Sequence, residues 1–479
     1  MNKPLELHLD RTTKIPLSDQ ICIGITKAIE SGVLAAGARL PSWVDLAVQL
    51  GVARGTVRAA YDKLSAAQLI VASRAAGTRV SERPILSAPA DPAPEAGSFL
   101  ETYLEMISGP AIFQMGVPAK ETFPATLFAR IRSHAVRAEA SAPPLYPDPR
   151  GELELRREIA AYLAIARGIE CSPSQVLVTG GFGSGLGLAL RVLGLEGRKA
   201  WMEDPGFPFT RRGLELAGLS PVAIPVDSGG IDVDYGLRYA SDAGLAVVTP
   251  GQQAPFGTTL SLSRRLRLLE WAALEGAWVI EDDYLSELQL TGRAAPALAS
   301  VDRAGRVIHI GSFSKTISPA LRLGFVLVPQ RLASRFAEVA ACLAPPPGPS
   351  VQLATAQFIS EGHYLRHLRR TKRAYAAQRD GLLNYLQARA SEIAVSTAGL
   401  AALLRFNDGV PDVSIARETL PFGLSPVPLS VWYASASSTQ SGLLLGIATC
   451  PQQHLAKSCD RLLEIIDRFT LPAQRPPAV

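Results

Sequence analysis

The sequence predicts two folded domains: a small N-terminal winged helix-turn-helix, and a large α/β domain that ends in a small C-terminal α+β lobe. The chain has 479 residues, more than one hydrophobic core usually organises. Residues 1–80 contain short helical patterns followed by two strand-like runs. From about residue 146 onward, helical stretches alternate with short apolar runs, which is typical of a mostly parallel sheet covered by helices.

Composition favours a folded protein of the cytoplasm. Hydrophobic residues make up 47% of the chain and charged residues 19%, which argues against extended disorder. The five cysteines form no CxxC pair and no cluster with histidine, so we expect neither a metal site nor a disulfide framework. The N-terminus has no apolar signal segment, and no run is long enough to span a membrane.

Positive charge is concentrated near the N-terminus. Residues 1–80 contain ten Lys/Arg and six Asp/Glu, a net charge of +4, whereas the other residues contain 38 and 37, a net charge of +1. A domain that neutralises DNA phosphates would show such an excess, and so would an ordinary solvated surface.

Three helices are predicted in residues 1–80. The first begins at Pro16 and Ser18, continues to about Glu30 and stops at Gly32. The segment LPSWVDLAVQLGVARGTVRAAYDKL then supplies the second and third. In the second, Ser42 and Asp45 form a capping box and the helix ends near Leu50–Gly51, while the third helix spans about Arg54 to Ala67.

The spacing in the second and third helices is typical of a helix-turn-helix. Ala47 is the small residue that allows close approach, Gly51 supplies the turn, and Val57 is the apolar contact between the helices. The following LIVASRAAGTRV has two β-rich runs around Ala75–Gly77, which we interpret as a wing. A small helical cap with a hairpin is the alternative. The candidate DNA contacts are Ser42, Arg54, Thr56, Arg58, Tyr61, Lys63, Thr78 and Arg79.

Nearly all of residues 11–80 resemble the GntR family of winged-helix regulators. The resemblance rests on PLSDQI, LPS, LAVQLGVARGTVRAAYDKL and GTRV. Such domains usually carry Arg two residues after the serine of LPS, where this chain has Val44, so an operator preference cannot be transferred.

Residues 81–107 contain four prolines among Ala and Ser and are predicted to be a linker, so the large domain spans 108–479. A second Pro-rich break at Ala344–Pro349 precedes the small lobe, at about 350–479. Predicted strands of the large domain are Gln175–Val178, Leu245–Val248, Trp278–Ile280 and Val307–Ile310.

The segment GSFSKTISPALRLG, residues 311–324, has the strongest chemical signal. Lys315 directly follows a strand, lies between Ser312 and Ser314 on one side and Arg322 on the other, and suits a Schiff-base lysine beside phosphate ligands. An amine is needed to condense with an aldehyde, and the planar guanidinium binds a phosphate dianion. Taken alone, the motif favours an ordinary surface lysine at the end of a strand.

Three further motifs favour the same chemistry. VIEDDY places Asp282 and Tyr284 at the end of a strand, where they could meet a pyridine nitrogen and a ring hydroxyl. The glycine turn of VTGGFGSGL precedes a helix whose amides could bind phosphate, and EDPGFPF places Phe207 where it could stack on a flat ring. Tight turns and core packing are the alternative uses of these residues.

These motifs resemble the fold type I aminotransferases, which carry pyridoxal 5'-phosphate (PLP). Residues 11–80 and 110–450 together resemble the MocR branch of the GntR regulators. The resemblance implies a PLP Schiff base on Lys315, with Asp282 on the pyridine nitrogen, Tyr284 on the ring hydroxyl and Phe207 stacked on the ring. It also implies a homodimer, because Tyr146 would reach the site from the partner subunit. The implied phosphate ligands are Gly181, Phe182, Gly183, Ser312, Ser314 and Arg322.

Two departures bear on function. Aminotransferases have Asn at the position of Ala254, and they hold the substrate carboxylate with an arginine that residues 440–450 lack. We therefore expect a regulator that binds a double-stranded DNA operator and senses PLP, or an amine that condenses with it, rather than an enzyme. An active aminotransferase with a DNA-binding appendage is the alternative. A vestigial domain is disfavoured because Lys315, Asp282 and Tyr284 remain.

Overall fold

The computed structural model describes residues 7, 9–11, 13, 15–67, 69–73, 77–81, 104, 111–292, 294–390, 393–434 and 439–470. The chain divides into two compact units, Met1–Glu101 and Thr102–Val479. Most of the segment that the sequence predicts to be a linker, 81–107, lies outside the described residues.

The N-terminal unit is a winged helix-turn-helix. Its elements are α1 (Leu17–Glu30), α2 (Trp43–Leu50), α3 (Arg54–Ala66), β1 (Ile70–Ser73) and β2 (Gly77–Val80). One half of the predicted capping box is present, since the Ser42 hydroxyl accepts from the Asp45 amide at 3.1 Å, but the Asp45 carboxylate accepts from the Ser42 hydroxyl at 2.7 Å and not from its amide. Gly51 ends α2 with a φ of 61°, a conformation that costs glycine little.

Apolar side chains from all three helices hold this unit together. Ile21 and Ile25 of α1 pack against Leu46 of α2 and Val57 of α3, and all four are fully buried. The predicted apolar contact at Val57 is therefore confirmed. Strands β1 and β2 pair antiparallel, and the Leu40 amide donates to the Thr78 carbonyl, which ties the wing to the chain before α2.

An eight-stranded sheet is the centre of the larger unit. Its strands lie in the order β3-β10-β9-β8-β7-β4-β5-β6. Six strands share one direction, whereas β10 and the short β6 run antiparallel to their neighbours. The strands are β3 (Val176–Thr179), β4 (Lys199–Asp204), β5 (Ser220–Asp227), β6 (Gly230–Ile231), β7 (Leu245–Val248), β8 (Trp278–Asp283), β9 (Val307–Ser312) and β10 (Gly324–Leu327).

The four predicted strands correspond to β3, β7, β8 and β9, so the prediction of a mostly parallel sheet is confirmed. Every residue of β3 and β7 is buried, as expected for strands that are covered on both faces. The helices of this region are α4 (Ala125–Ser141), α5 (Leu153–Arg167), α6 (Phe182–Leu193), α7 (Pro208–Leu216), α8 (Val233–Tyr239), α9 (Leu262–Leu274), α10 (Ala333–Leu343), α11 (Pro349–Ser360) and α12 (His363–Arg389).

The small lobe is a four-stranded antiparallel sheet with helices on one side. Its elements are β11 (Ala394–Ala398), β12 (Ala401–Arg405), α13 (Asp412–Thr419), β13 (Val427–Pro428), β14 (Gly442–Gly446) and α14 (Gln452–Thr470), with strand order β11-β12-β14-β13. Although α11 falls within the 350–479 segment that the sequence assigns to this lobe, it packs against α4 and α5 of the large region.

The first described residues after the predicted linker also join the small lobe. The Gly446 amide donates to the Phe113 carbonyl at 2.7 Å, and the Ile112 amide donates to the Gly423 carbonyl at 3.0 Å. Sequence patterns did not predict this pairing. Among the described helices, none is both long and apolar enough to cross a membrane.

Candidate functional site

Lys315 lies in the loop after β9, near the centre of the large sheet. Its Nζ donates to the carbonyl of Gly116 at 2.8 Å, and the side chain is half-buried. Burial lowers the pKa of this amine, while the negative charge of Asp282 opposes the shift. Gly116 has a φ of 79°, which favours glycine, and a side chain there would displace the Lys315 Nζ. A lysine with a lowered pKa is better able to act as a nucleophile.

Asp282 is the last residue but one of β8, and its side chain is buried. Its Oδ1 has no hydrogen-bond partner among the residues that the structure describes. Burial raises the pKa of this carboxyl well above its ordinary value, and the negative charges of Asp283 and Glu203 raise it further. A buried carboxylate oxygen without a partner is costly unless a ligand satisfies it. Asp282 therefore fits a ligand that donates a hydrogen bond and carries positive charge.

Two rings line the same region. Tyr284 is half-buried, and burial raises the pKa of its phenol, with Asp282 and Glu203 adding to the shift, so the group is a neutral donor. Phe207 precedes α7, with its ring centroid 6.5 Å from that of Phe182 and 5.8 Å from that of Trp432. An exposed part of the Phe207 ring is thus held among other rings, where it can contact a flat ligand.

The predicted phosphate ligands lie on three segments. Gly181 caps α6 with a φ of 98°, and the space where its side chain would be is open. The first-turn amides of α6, including those of Phe182 and Gly183, have no partners within the helix, so this terminus can accept an anion. Strand β10 lies directly against the turn, because a side chain at Gly324 would approach the Gly181 Cα to 3.0 Å.

The other phosphate candidates lie on either side of Lys315. The Ser314 amide donates to the Ser312 hydroxyl at 3.2 Å, which orders the loop. Arg322 is exposed and has a φ of 49°, an unfavourable conformation for a residue with a side chain. Such strain is often kept at ligand sites. Tyr146, by contrast, is fully exposed and does not enter the site of its own chain.

Sequence reasoning missed a group of buried charges beneath the site. The Arg167 guanidinium donates to Asp283 at 2.6 Å, and His309 Nδ1 lies 2.9 Å from Glu281. Glu281 also accepts from two backbone amides, at 2.6 and 3.0 Å. Burial favours neutral His309, but Glu281 and Asp283 raise its pKa above the ordinary value. Side chains alternate along a strand, so VIEDDY could have indicated that Glu281 and Asp283 lie opposite Asp282 and need buried partners.

Glu203 is a second group that the sequence did not identify. It is buried at the end of β4 and accepts from the amide and the hydroxyl of Thr249, at 3.0 and 2.5 Å. Burial raises the pKa of this carboxyl to about 7, and the two hydrogen bonds from Thr249 limit the shift. Its charge acts on both Asp282 and Tyr284.

The two departures from aminotransferases, at Ala254 and in residues 440–450, lie in one apolar cluster, which we call the apolar wall. Ala254 and Leu444 are buried in one cluster with Leu403 and Trp432, and Phe207 and Tyr284 pack against this cluster. Next to it lies a cavity of about 500 Å³ between the large region and the small lobe, lined in part by Phe256, Leu403, Arg405 and Tyr433. The Arg405 guanidinium lies 5.2 Å from the centre of the Phe256 ring. This cationic side chain was also missed from the sequence.

In the winged domain, six of the predicted DNA contacts lie on α3, on β2 and at the start of α2. Arg54 and Arg58 are exposed and Thr56 half-buried, all in the first half of α3. Thr78 is half-buried in β2, and exposed Arg79 donates to the Gly37 carbonyl at 2.9 Å. Ser42 is the α2 cap described above. These six side chains remain candidates for contact with DNA.

One predicted contact requires correction, and a second is already paired. Tyr61 is only 6% exposed, and its hydroxyl donates to the Pro41 carbonyl at 2.9 Å, so it belongs to the core. Burial raises its pKa to about 12. Lys63 lies in the last turn of α3, where it is exposed and pairs with Asp19 of α1, so its contact with DNA stays a prediction. The sequence pattern placed both on the third helix correctly but did not show that the turn before α2 covers Tyr61.

Comparison with known proteins agrees with both units. Residues 17–80 match the family of bacterial regulatory proteins named gntR, and residues 114–413 match aminotransferase class I and II. The chain is 34% identical over 456 residues to the probable rhizopine catabolism regulatory protein MocR of Rhizobium meliloti, covering 92% of each chain. The protein belongs to this MocR-type group of gntR regulators.

This MocR-type regulator is also 32% identical over 377 residues to the HTH-type pyridoxine biosynthesis transcriptional regulator PdxR of Corynebacterium glutamicum, covering 78% of this chain and 80% of PdxR. Its larger unit superposes on an archaeal alanine:glyoxylate aminotransferase with a TM-score of 0.70 and 24% identity, covering 77% of the regulator and 94% of the enzyme. The regulator therefore combines a DNA-binding winged domain with a fold type I aminotransferase-like domain.

We expect the buried charges to be essential for the stability of the regulator. Arg167→Met leaves Asp283 buried beside Glu281 without its guanidinium partner, so the free energy of unfolding should fall by about 3–5 kcal/mol. Arg212→Met is the matched control, because Arg212 and Glu215 form an exposed pair that should contribute less than about 1 kcal/mol. Urea unfolding measures both, and equal losses in the two variants would contradict the assigned role of the Arg167–Asp283 pair.

Proposed function

We propose that the regulator binds PLP at Lys315 and that an amine which reacts with this PLP changes the binding of the winged domain to operator DNA. One observation carries the proposal: the buried Asp282 carboxylate, whose Oδ1 is without a partner in the described chain, lies close enough to Lys315 for their charges to interact. An acid and an amine in this arrangement fit the ring nitrogen and the aldehyde of PLP.

Each residue has a separate task in this proposal. When bound, PLP supplies an aldehyde that condenses with amines and a ring that withdraws electrons. Asp282 accepts a hydrogen bond from the ring nitrogen and holds its proton there, because the carboxylate needs a positive partner in a buried site. Tyr284 donates to the ring hydroxyl, and Phe207 covers the ring face. The first turn of α6, Ser312, Ser314 and Arg322 hold the phosphate.

The neighbourhood of Lys315 offers a route by which an amine could affect the rest of the chain. With an amine bound to the cofactor, Lys315 would be able to keep its hydrogen bond to the Gly116 carbonyl. Gly116 lies three residues after Phe113, which like Ile112 pairs with the small lobe, and this segment leads back to the predicted linker. The amine therefore shifts DNA binding only if it favours one arrangement of this segment over another.

We also propose that the regulator works as a homodimer in the cytoplasm, where its operator is present. The exposed side chains of Leu145 and Tyr146 support the proposal, because such large apolar and aromatic groups are often covered by a partner. Tyr146 from the partner subunit would then contact the phosphate group. Two winged domains would bind two half-sites on one operator.

An active aminotransferase remains the second candidate, since Lys315, Asp282 and Tyr284 are all in place. The apolar wall disfavours it. The buried side chains of Leu444 and Ala254 cannot compensate a substrate carboxylate for its lost hydration, and the cationic Arg405 lines the neighbouring cavity instead. An amino acid whose carboxylate is held in this way would rarely reach the geometry for proton transfer.

The first prediction concerns the covalent cofactor. Incubation with PLP followed by borohydride reduction should attach PLP to Lys315, as peptide mass spectrometry would show. Lys315→Ala should abolish the label, whereas Lys199→Ala should retain it, because Lys199 is an exposed lysine paired with Asp242. Asp282→Asn should weaken PLP binding by removing the negative partner of the ring nitrogen. A label on another lysine would refute the assignment.

For DNA, the prediction uses an operator duplex selected by the full chain from a random library. Arg54→Ala and Arg58→Ala should each weaken binding about tenfold or more, since each base or phosphate contact contributes about 1–3 kcal/mol. The absorbance of bound PLP should not change. Lys27→Ala, which removes an exposed charge from α1, is the control and should bind like the wild type. Unchanged binding by both arginine variants would exclude α3 as the contact.

Turnover separates the two candidate functions. With a common amino acid and a keto-acid acceptor, we expect at most a few turnovers per hour, while a suitable primary amine still changes the cofactor spectrum. The double variant Leu444→Arg/Ala254→Asn should turn over faster, because it supplies groups for the carboxylate and the ring hydroxyl. Many turnovers per minute by the unmodified chain would favour the enzyme and contradict the regulator that only senses amines.

A further inference from the structure

The long helix α12 carries a large positive charge. Its 27 residues include seven Lys/Arg and one Asp. Residues 81–479 as a whole are almost balanced, with 38 basic and 37 acidic residues, so the positive charge of this part of the chain is unevenly placed.

The basic residues of α12 occupy one exposed face. Arg366, Arg369, Arg370 and Arg373 are all exposed and follow each other at intervals that place them on the same side of a helix. The opposite side is apolar, with Tyr364, Leu368 and Tyr375 buried in the core of the larger unit. We call these four arginines the basic face. Arg130 of α4 adds a positive charge at its end, close enough to lower the pKa of Glu361.

Few acids oppose this charge. Arg370 donates to the Thr122 carbonyl, and Arg366 to the Glu361 carbonyl and His363. Arg369 and Arg373 have no hydrogen bond or ion pair within the described chain. The two acids nearby, Glu121 and Glu361, are exposed, and the Glu361 carboxylate already accepts from Gln357 and lies 2.9 Å from the ring of His363.

This arrangement costs stability when the protein is alone. Like charges four residues apart repel, and the basic face contains two such pairs, Arg366 with Arg370 and Arg369 with Arg373. Arg369 and Arg373 have no bonded carboxylate within the described chain that would offset the repulsion. A partner with regularly spaced negative charges would remove the repulsion and use the free guanidinium groups of Arg369 and Arg373.

We propose that the basic face of α12 binds the phosphate backbone of double-stranded DNA, as a second contact that carries no sequence information. Guanidinium groups bind phosphate through paired hydrogen bonds, and seven residues of helix extend about 10 Å, which is enough to meet more than one phosphate along a strand. The same chain already carries a DNA-binding domain, so DNA is the polyanion it will meet. The inference rests on the proposed binding of DNA by the winged domain.

Salt dependence tests the proposal, since each phosphate contact adds about 0.9 to the slope of log K against log salt. The probe is a random-sequence duplex of several helical turns, and the protein is the full chain loaded with PLP. Arg369→Gln/Arg373→Gln should lower the slope by about 2 for each bound chain. The control Arg303→Gln/Arg335→Gln removes the same charge from exposed arginines outside α12 and should leave the slope unchanged.

The outcomes are distinguishable. A wild-type slope in the α12 variant, with unchanged circular dichroism and PLP absorbance, overturns the inference. An equal decrease in the control variant overturns it as well, because net charge and not this face would then explain the effect. Loss of binding to phosphatidylglycerol vesicles, with DNA binding intact, identifies a membrane as the partner and overturns it. If the wild type binds neither the random duplex nor a selected operator, the proposed function fails instead.

Discussion

The site depends on the burial of three consecutive acids at the end of β8. Because side chains alternate along a strand, Glu281 and Asp283 lie on one face of the sheet and Asp282 on the other. The two acids on the first face need positive partners in the core. Arg167 of α5 and His309 of the neighbouring strand β9 supply them. The face that carries Asp282 leaves its Oδ1 without a partner in the described chain, and the charge of Lys315 acts on this carboxyl.

This constraint links stability to chemistry. The charges that are paired below the sheet still act on Asp282, since Asp283 raises the pKa of that carboxyl and Lys315 lowers it. An acid in this position is stabilised in its ionised form by a positive ligand, and the lowered pKa of Lys315 favours its reactive form. The fold therefore keeps the first step of aminotransferase chemistry possible. In the proposed function, the apolar wall around Leu444 lacks the positive group that the later steps require, so the domain binds an amine without turnover.

Two different uses of arginine distinguish the units of the chain. Arg167 is buried and bonded to Asp283, so it stabilises the fold and cannot contact a partner. Arg54 and Arg58 on α3, like Arg369 and Arg373 on α12, are exposed and available to anions. Net charge over the whole sequence does not separate these uses. Burial of the arginine and the presence of a bonded carboxylate distinguish a stabilising arginine from one that is available to anions.

The sequence by itself determined the architecture and the set of reactive residues. Capping at Ser42, the turn at Gly51 and the contact at Val57 are local features, so the helix-turn-helix could be predicted from spacing. Apolar runs with glycine and acid boundaries likewise predicted strands β3, β7, β8 and β9, and the motifs around Lys315 and Asp282 are the basis of the proposed chemistry.

Only the tertiary structure decided which side chains are available and which are paired. Tyr61 and Lys63 have the residue types of DNA contacts, but Pro41 and Asp19, far away in sequence, bond to them. The pairing of Phe113 with Gly446 and the bond of Arg167 to Asp283 also join residues more than a hundred positions apart. Periodicity reports on neighbours within one element, and it contains no information about which distant segment will cover that element when the chain folds.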